Sequence, residues 1–338
     1  MAGAQLFITG GTGFFGTWLL ETIAAANDAL QVAVGATVLS RDPERFLLRV
    51  PHMASRREFE WLRGSPASFP FPATRHDYLL HLATATSADP RHTEPIEMLH
   101  TKLTGIHNVL RHARQAGVRR MLVTSSGAVY GPQPAALNRI PETWQGAPDP
   151  LNPSSAYGEG KRLVEQMCAL TPEVPCVIAR CFSFIGPHLP LHGRFAAGNF
   201  LRDAMSGGPI VVNGDGTARR SYMHPADLVV WLLKILLHGE TRRAYNVGSD
   251  QGVSIGDLAR QIAGQVGGNL SVEIRGEPDR SGVHSYVPQT DRARDELGLQ
   301  LTLDLPATLQ RTIDWLRTAI DTREPRMATS SLRIPARH

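Results

Sequence analysis

The sequence predicts an α/β protein built on a doubly wound parallel sheet, with a smaller, mixed C-terminal lobe. Three observations carry this prediction. Strand-like and helical patterns alternate to about residue 180, the rhythm of a parallel sheet with crossover helices. Near the N-terminus a strand runs straight into a glycine-rich turn that opens a helix. With 338 residues, 42% of them hydrophobic, the chain can bury a full α/β core and a second lobe.

Leu6-Phe7-Ile8-Thr9 reads as a short buried strand, and Gly10-Gly11-Thr12-Gly13-Phe14-Phe15-Gly16 follows at once. An apolar helix then runs from Trp18-Leu19-Leu20 through Ile23. Glycines at 10, 13 and 16 permit the tight turn, the close approach of a pyrophosphate, and helix–strand packing. The amides that start the helix then face the phosphates. A glycine triplet alone is a weak signal; after a strand and before a helix it identifies a dinucleotide-binding Rossmann unit. Ala36-Thr37-Val38-Leu39 is the second strand and Tyr78-Leu79-Leu80-His81 the fourth. Residues 94 to 116 and 156 to 170 form long helices. Arg120-Met121-Leu122-Val123-Thr124-Ser125-Ser126 is a buried strand ending in hydroxyls. Residues 132 to 153, rich in Pro, Asp and Asn, form an irregular loop over the site. From 187 the pattern becomes loop and short helix, and residues 225 to 248 return to the sheet. The expected division is a dinucleotide-binding domain of 1–186 plus 225–250 and a substrate lobe of 187–224 plus 251–322. Residues 323–338 are non-periodic and expected to be disordered.

Within the run from Ser154 to Lys161, Tyr157 and Lys161 stand four residues apart. On a helix they share a face, so an ammonium sits beside a phenol. That favours the phenolate and lowers the tyrosine pKa toward neutrality. Such a phenol can take a proton from an alcohol or sugar oxygen, or return one. The chain has only three lysines, Lys102, Lys161 and Lys234, which makes this spacing informative. A surface pair without chemistry is the competing reading, and the glycine turn and Ser126 argue against it. A hydroxyl at a strand end beside the phenol can hydrogen-bond the same substrate oxygen.

No stretch approaches the ~20 apolar residues of a membrane span. The first residues enter a strand directly, so no signal peptide is expected. Three cysteines, Cys168, Cys176 and Cys181, lack metal-ligand or CxxC spacing, which points to a reducing cytoplasm. The net charge of +4 suits anionic substrates, but it is dispersed and does not argue for nucleic acid. Thirteen scattered histidines show no metal cluster.

Together these residues resemble the extended short-chain dehydrogenase/reductase family, in its sugar-nucleotide epimerase, dehydratase and reductase branch, over about residues 4 to 318. Gly10–Gly16 matches the family's GxxGxxG and Tyr157–Lys161 its YxxxK. His81-Leu82-Ala83 resembles its fourth-strand segment, and Ser126-Gly127-Ala128-Val129-Tyr130-Gly131 its serine segment. Arg180 to Pro187, Asn199-Phe200, Arg220-Ser221-Tyr222-Met223-His224 and Tyr245-Asn246-Val247-Gly248 look like its substrate-half landmarks. The resemblance implies Ser126, Tyr157 and Lys161 as catalytic residues. Gly10, Gly13, Phe14, Phe15, Gly16, Ser40, Arg41, Leu82 and Ala83, with Tyr157 and Lys161, would hold the dinucleotide. Thr84, Ser126, Asn199, Arg220 and Arg280 would hold a nucleoside-diphosphate sugar. The two long helices imply a homodimer interface, and His188 and His224 are expected to serve structure.

At the end of the second strand, where a carboxylate would favour NAD, stand Ser40 and Arg41. A hydroxyl and a guanidinium suit a 2′-phosphate, so NADP(H) is favoured. Asp42 could instead reach the ribose, which keeps NAD open. Family dehydratases carry Asp and Glu after the serine position, and the decarboxylases keep the Glu; here those positions are Gly127 and Ala128. Hydride transfer with one proton relay remains. The expected activity is NADP(H)-dependent reduction of a 4-keto nucleotide sugar, with a 4-epimerase as the alternative and a non-catalytic dinucleotide binder after that. A reductase of a non-nucleotide ketone is disfavoured by Asn199 and Arg220. Three further departures are Lys102 where the family has asparagine, Ser183 after Arg180, and Ser65 at a usual aspartate. Lys102 can point inward, toward the nicotinamide or substrate phosphate, or outward to solvent.

Overall fold

The computed structural model describes residues 1–83, 94–193, 195–277 and 284–321. Thr84, Arg280, the loop at 84–92 and the tail at 323–338 therefore lie outside the described residues.

The elements run β1 (Gln5–Thr9), α1 (Phe14–Leu30), β2 (Gly35–Ser40), α2 (Pro43–Arg49), β3 (Phe59–Arg63), β4 (Tyr78–His81), α3 (Pro95–Ala116), β5 (Arg120–Ser126), α4 (Ala156–Ala169) and β6 (Cys176–Cys181). Then follow α5 (Ala196–Met205), β7 (Ile210–Val212), β8 (Arg219–Ser221), α6 (Pro225–His238), β9 (Ala244–Val247), β10 (Gly252–Ser254) and α7 (Ile255–Val266). The chain closes with β11 (Val272–Ile274), β12 (Ser285–Tyr286), α8 (Asp291–Leu297) and α9 (Leu305–Asp321).

Seven strands form one parallel sheet in the order β3-β2-β1-β4-β5-β6-β9. Strand order reverses at β1, which lies between β2 and β4. Ligands of open α/β sheets bind beyond the strands' carboxyl ends at such a switch point. The register brings those ends level, with Thr9 opposite both Leu39 and His81, and Ser126 opposite Cys181.

The central strands are apolar on both sides because helices cover both faces. Leu6, Ile8, Leu80 and Leu122 face the layer of α1 and α6, with Leu20 and Trp231. Phe7, Leu79, Val123 and Ile178 face the layer of α3 and α4, with Ile106 and Val164. A third cluster, including Phe200, Leu201, Leu258, Ile262 and Ile313, joins α5, α7 and α9. A short sheet, β10-β8-β12, pairs Arg220 with Tyr286 in register.

Caps fix where the site helices begin and end. α3 starts with Pro95 at its first position and ends at Gly117, whose φ of 60° is the left-handed conformation that glycine supplies readily. Asn152 caps the short turn at Pro153–Ser155 that leads directly into α4. Tyr157 therefore stands in the first turn of α4.

The core also holds neutral histidines. His76 and His112 are each 1% exposed, lie 5.6 Å apart and pack against Phe7. Burial lowers the pKa of both, His112 to about 4 with His76 adding to the effect. Burial and then Lys161 push His81 down to about 3. In the unfolded chain each imidazole titrates near ~6.5, so the unfolded state binds protons first as pH falls. Stability from these rings is complete above about pH 6.5 and is lost progressively toward about pH 4. The midpoint of denaturant unfolding is expected to fall between about pH 7 and about pH 5, and His112→Leu to flatten that slope. An unchanged midpoint across this range would mean that the rings take up protons in the folded protein.

Candidate active site

The glycine turn joins β1 to α1 at the switch point. Gly10 has a φ of +73°, and a Cβ there would lie 2.5 Å from the Ala83 nitrogen. A Cβ on Gly16 would lie 2.3 Å from the Gly10 carbonyl oxygen and the Gly11 Cα. Backbone occupies both spaces, so neither position accepts a side chain without moving the turn. No side chain caps α1 at Gly13, so no capping side chain competes for its first amides. This cradle fits a dinucleotide pyrophosphate. Phe14 and Phe15 are half-buried beside it, and Phe15 meets Phe184 edge-on at 4.9 Å. Leu82 and Ala83 continue β4, their amides directed at Thr9 at 3.0 and 3.4 Å.

Beyond β2, Ser40 is buried, with its Oγ 3.2 Å from Thr12 Oγ1. Arg41 is exposed. Asp42 is the N-cap of α2 and accepts from the Arg45 amide at 3.0 Å. Arg49, at the end of α2, donates to the Thr12 carbonyl at 2.9 Å. The sequence reading missed Arg49, because only the helical turn of α2 brings it back to the glycine turn.

The proposed catalytic residues converge from β5 and α4. Lys161 is 3% exposed and donates to the Thr124 carbonyl at 2.7 Å, which fixes its ammonium against the end of β5. Burial lowers its pKa to about 8. Lys102 points inward from α3, with its Nζ 4.2 Å from the centroid of the Tyr157 ring. Ser126 Oγ accepts from the Ala128 amide at 3.2 Å and lies 3.2 Å from the Tyr286 hydroxyl. Tyr286, absent from the sequence reading, arrives on a two-residue strand too short to carry a periodic signal. Burial raises its pKa, the Ser126 hydrogen bond opposes that rise, and Tyr157 adds to it. At neutral pH it is a phenol able to donate.

Tyr286 also accounts for Gly127. A Cβ there would come within 2.6 Å of Phe182 Cζ and 2.8 Å of the Tyr286 oxygen. Two aromatic rings, tilted by 37° with centroids 4.6 Å apart, fill the space a side chain at 127 would need. Gly158 is equally constrained, since its Cβ would lie 2.7 Å from the Ala128 carbonyl oxygen. That close approach seats α4 against the serine segment.

The substrate-side residues divide. Arg220 lies 5.8 Å from the Tyr286 ring and donates to the Arg219 and His284 carbonyls, so it neighbours Ser126 through Tyr286. Asn199, on α5, donates to the Gly193 carbonyl and accepts from Arg202, apart from that cluster. Of the two histidines expected to serve structure, His224 caps α6 and His188 packs on Trp315.

On α4, Glu165 takes two hydrogen bonds from Arg180, at 2.7 and 3.1 Å, and one from Ser125 at 2.5 Å. Arg180 continues to Tyr130, and Tyr130 to Asn246. This polar chain ties α4 to β5, β6 and β9.

A model of the family described as the NAD dependent epimerase/dehydratase family matches residues 6–248. Among curated proteins, UDP-glucuronic acid decarboxylase 2 of Arabidopsis thaliana is 28% identical over 307 residues, covering 90% of this chain. UDP-glucuronic acid decarboxylase 1 of Xenopus tropicalis is 28% identical over 324 residues, covering 94%. The chain spans 66% and 73% of those proteins' own lengths. The UDP-glucose 4-epimerase of Thermotoga maritima, solved with UDP-glucose, superposes with a TM-score of 0.77 at 21% identity over 94% of this chain and 99% of that one. A dTDP-glucose 4,6-dehydratase of Streptomyces venezuelae, solved with NAD, gives 0.80 at 22% identity over 95% and 99%. At these identities the two structures speak to the fold.

Proposed function

Because the chain belongs to the NAD dependent epimerase/dehydratase family, we propose that it moves hydride at C4 of a nucleoside-diphosphate sugar, as an NADP(H)-dependent reductase of a 4-keto sugar. The observation that carries this reading is the aromatic packing over Gly127. Elimination of water by the route that uses carboxylates after the serine position has no group here, and position 127 has no room for one. Ala128 likewise offers no acid or base in place of the decarboxylases' glutamate, so their likeness at 28% identity leaves the reaction to be read from the site.

The dinucleotide, when bound, supplies the hydride. Tyr157 gives its phenolic proton to the C4 oxygen as the carbonyl is reduced, leaving a hydroxyl on the sugar. Ser126 polarises that oxygen, and Lys161, held by Thr124, steadies the phenolate left behind. The Tyr286 hydroxyl stands beside Ser126, 3.2 Å from its Oγ. Arg220 is the candidate grip for the diphosphate.

The preference for NADP(H) draws on Ser40, Arg41 and the reach of Arg49, and on Asp42 being engaged as a helix cap. A homodimer through α3 and α4 fits the exposed Ile96, Leu163 and Leu170 on or beside those helices. The 4-epimerase reading is favoured by the family's NAD dependence and by the NAD held in the Streptomyces dehydratase.

The deciding experiment denatures purified protein, identifies any released dinucleotide, and titrates fresh NADPH and NADH by fluorescence. Empty protein that prefers NADPH and turns over 4-keto nucleotide sugars is the expected result. Stoichiometric NAD retained through purification would make the epimerase the leading reading. Binding without turnover across a nucleotide-sugar panel would return the protein to a non-catalytic role.

A further inference from the structure

We propose that Lys102 is a second lysine of this site, a positioning residue whose ammonium, lying over the ring of Tyr157, holds that phenol ready to ionise. The inference takes from the proposed function only that Tyr157 moves the proton.

Lys102 is 6% exposed, and its Nζ has no hydrogen-bond acceptor among the described residues. A buried ammonium without an acceptor is unfavourable unless an anion or an electron-rich face compensates it. The Tyr157 ring, 4.2 Å away, supplies that face, and a phenolate would supply the anion. Room for the side chain comes from Gly160, where a Cβ would lie 3.0 Å from Lys102 Cδ and 2.9 Å from Leu99 Cδ2. Glycine at 160 and lysine at 102 are thus a matched pair across α3 and α4.

Burial, then repulsion from Lys161, lowers the Lys102 pKa to about 7. The other titratable and charged groups described around this cluster include His81 from β4, Cys181 from β6, Glu165 and Cys168 from α4, Tyr286 from β12, and Arg220 from β8, 5.8 Å from the Tyr286 ring. Burial favours the neutral forms of His81, Cys181 and Tyr286. Cys168 is held as a thiol, first by its hydrogen bond with Cys176 and then by burial. Glu165 is committed to Arg180. Of these groups, Lys102 is the cation whose Nζ lies over the Tyr157 ring, 4.2 Å from its centroid. Lys161 is tied to Thr124, whereas Lys102 is free to strengthen its contact as the ring becomes anionic.

An opposite charge at this range shifts a pKa by about 1–3 units. The test is an ultraviolet titration of phenolate absorbance, with Tyr157→Phe subtracted so that Tyr157 alone is read. Lys102→Met is expected to raise the Tyr157 midpoint by about one unit or more, and Lys102→Arg to restore it. Linkage is reciprocal, so Tyr157→Phe should lower the Lys102 midpoint by a matching amount. With only three lysines in the chain, isotopically labelled lysine resolves that titration by NMR in the intact protein. A folded Lys102→Met variant with an unmoved Tyr157 midpoint would overturn the proposal. If that variant does not fold, an unchanged Lys102 midpoint in Tyr157→Phe does the same. Neither readout needs a substrate, so the outcome is independent of which sugar, if any, is turned over.

Discussion

Tyr157→Phe is expected to lower turnover by roughly 10²–10⁴-fold, with a much smaller change in dinucleotide affinity, because it removes one hydroxyl and little packing. Phenylalanine keeps the ring beneath Lys102 and the helix that carries Lys161. What it removes is the proton delivered to the substrate oxygen. The loss should therefore fall in kcat, and an interaction made only in the transition state lowers kcat and kcat/KM together. Ser126→Ala should fall by less, because Tyr157 still supplies the proton and the Tyr286 hydroxyl, 3.2 Å from Ser126 Oγ, remains beside that position. Steady-state rates on 4-keto nucleotide sugars, with NADPH fluorescence as the binding control, read both variants. A Tyr157→Phe enzyme within a few-fold of wild type would remove Tyr157 from the reaction.

Glu165→Ala is expected to destabilise the fold by about 3–5 kcal/mol, the range for breaking a buried ion pair from one side. The side chains of Arg180 and Glu165 are 18% and 15% exposed, and the carboxylate takes both guanidinium hydrogen bonds and the Ser125 hydroxyl. Removing it leaves Arg180 hydrogen-bonded to Tyr130 without its paired carboxylate, with Glu142 the nearby negative charge. Replacing both members, as in Glu165→Leu with Arg180→Met, should recover much of the loss because no isolated charge remains buried. Denaturant unfolding measures both variants. A single variant within about 1 kcal/mol of wild type would mean that water reaches Arg180 and that the network contributes little.

The glycine turn, the Tyr157–Lys161 pair and the hydroxyl end of β5 were legible because each is local. Their spacing along a strand or helix already implies their shared face. The seven-stranded sheet follows from the same alternation, and β2, β4, α3 and α4 lie within two residues of where the pattern predicts them. The packing on both sides of Lys102 was not legible. Lysine is commonly solvated, and only the seating of α3 on α4, with Gly160 making room, turns it inward. Nor did spacing reveal Arg49 at the glycine turn or Glu165 beneath Arg180, since helix geometry and sheet register bring them there.

By itself, then, the sequence determined the class of fold and placed the glycine turn and the Tyr157–Lys161 pair, all of which depend on neighbours a few residues apart. Tertiary structure alone decided what surrounds that pair. Tyr286 meets Ser126 across 160 residues of chain, and it arrives because β12 pairs in register with β8. Long-range contacts of this kind are set by which surfaces bury one another, a global balance that no local pattern encodes. The same balance fills the space above Gly127 with two aromatic rings and directs a second lysine at Tyr157. The motif residues thus point to the family, and the packing around them is what the proposed reaction is argued from.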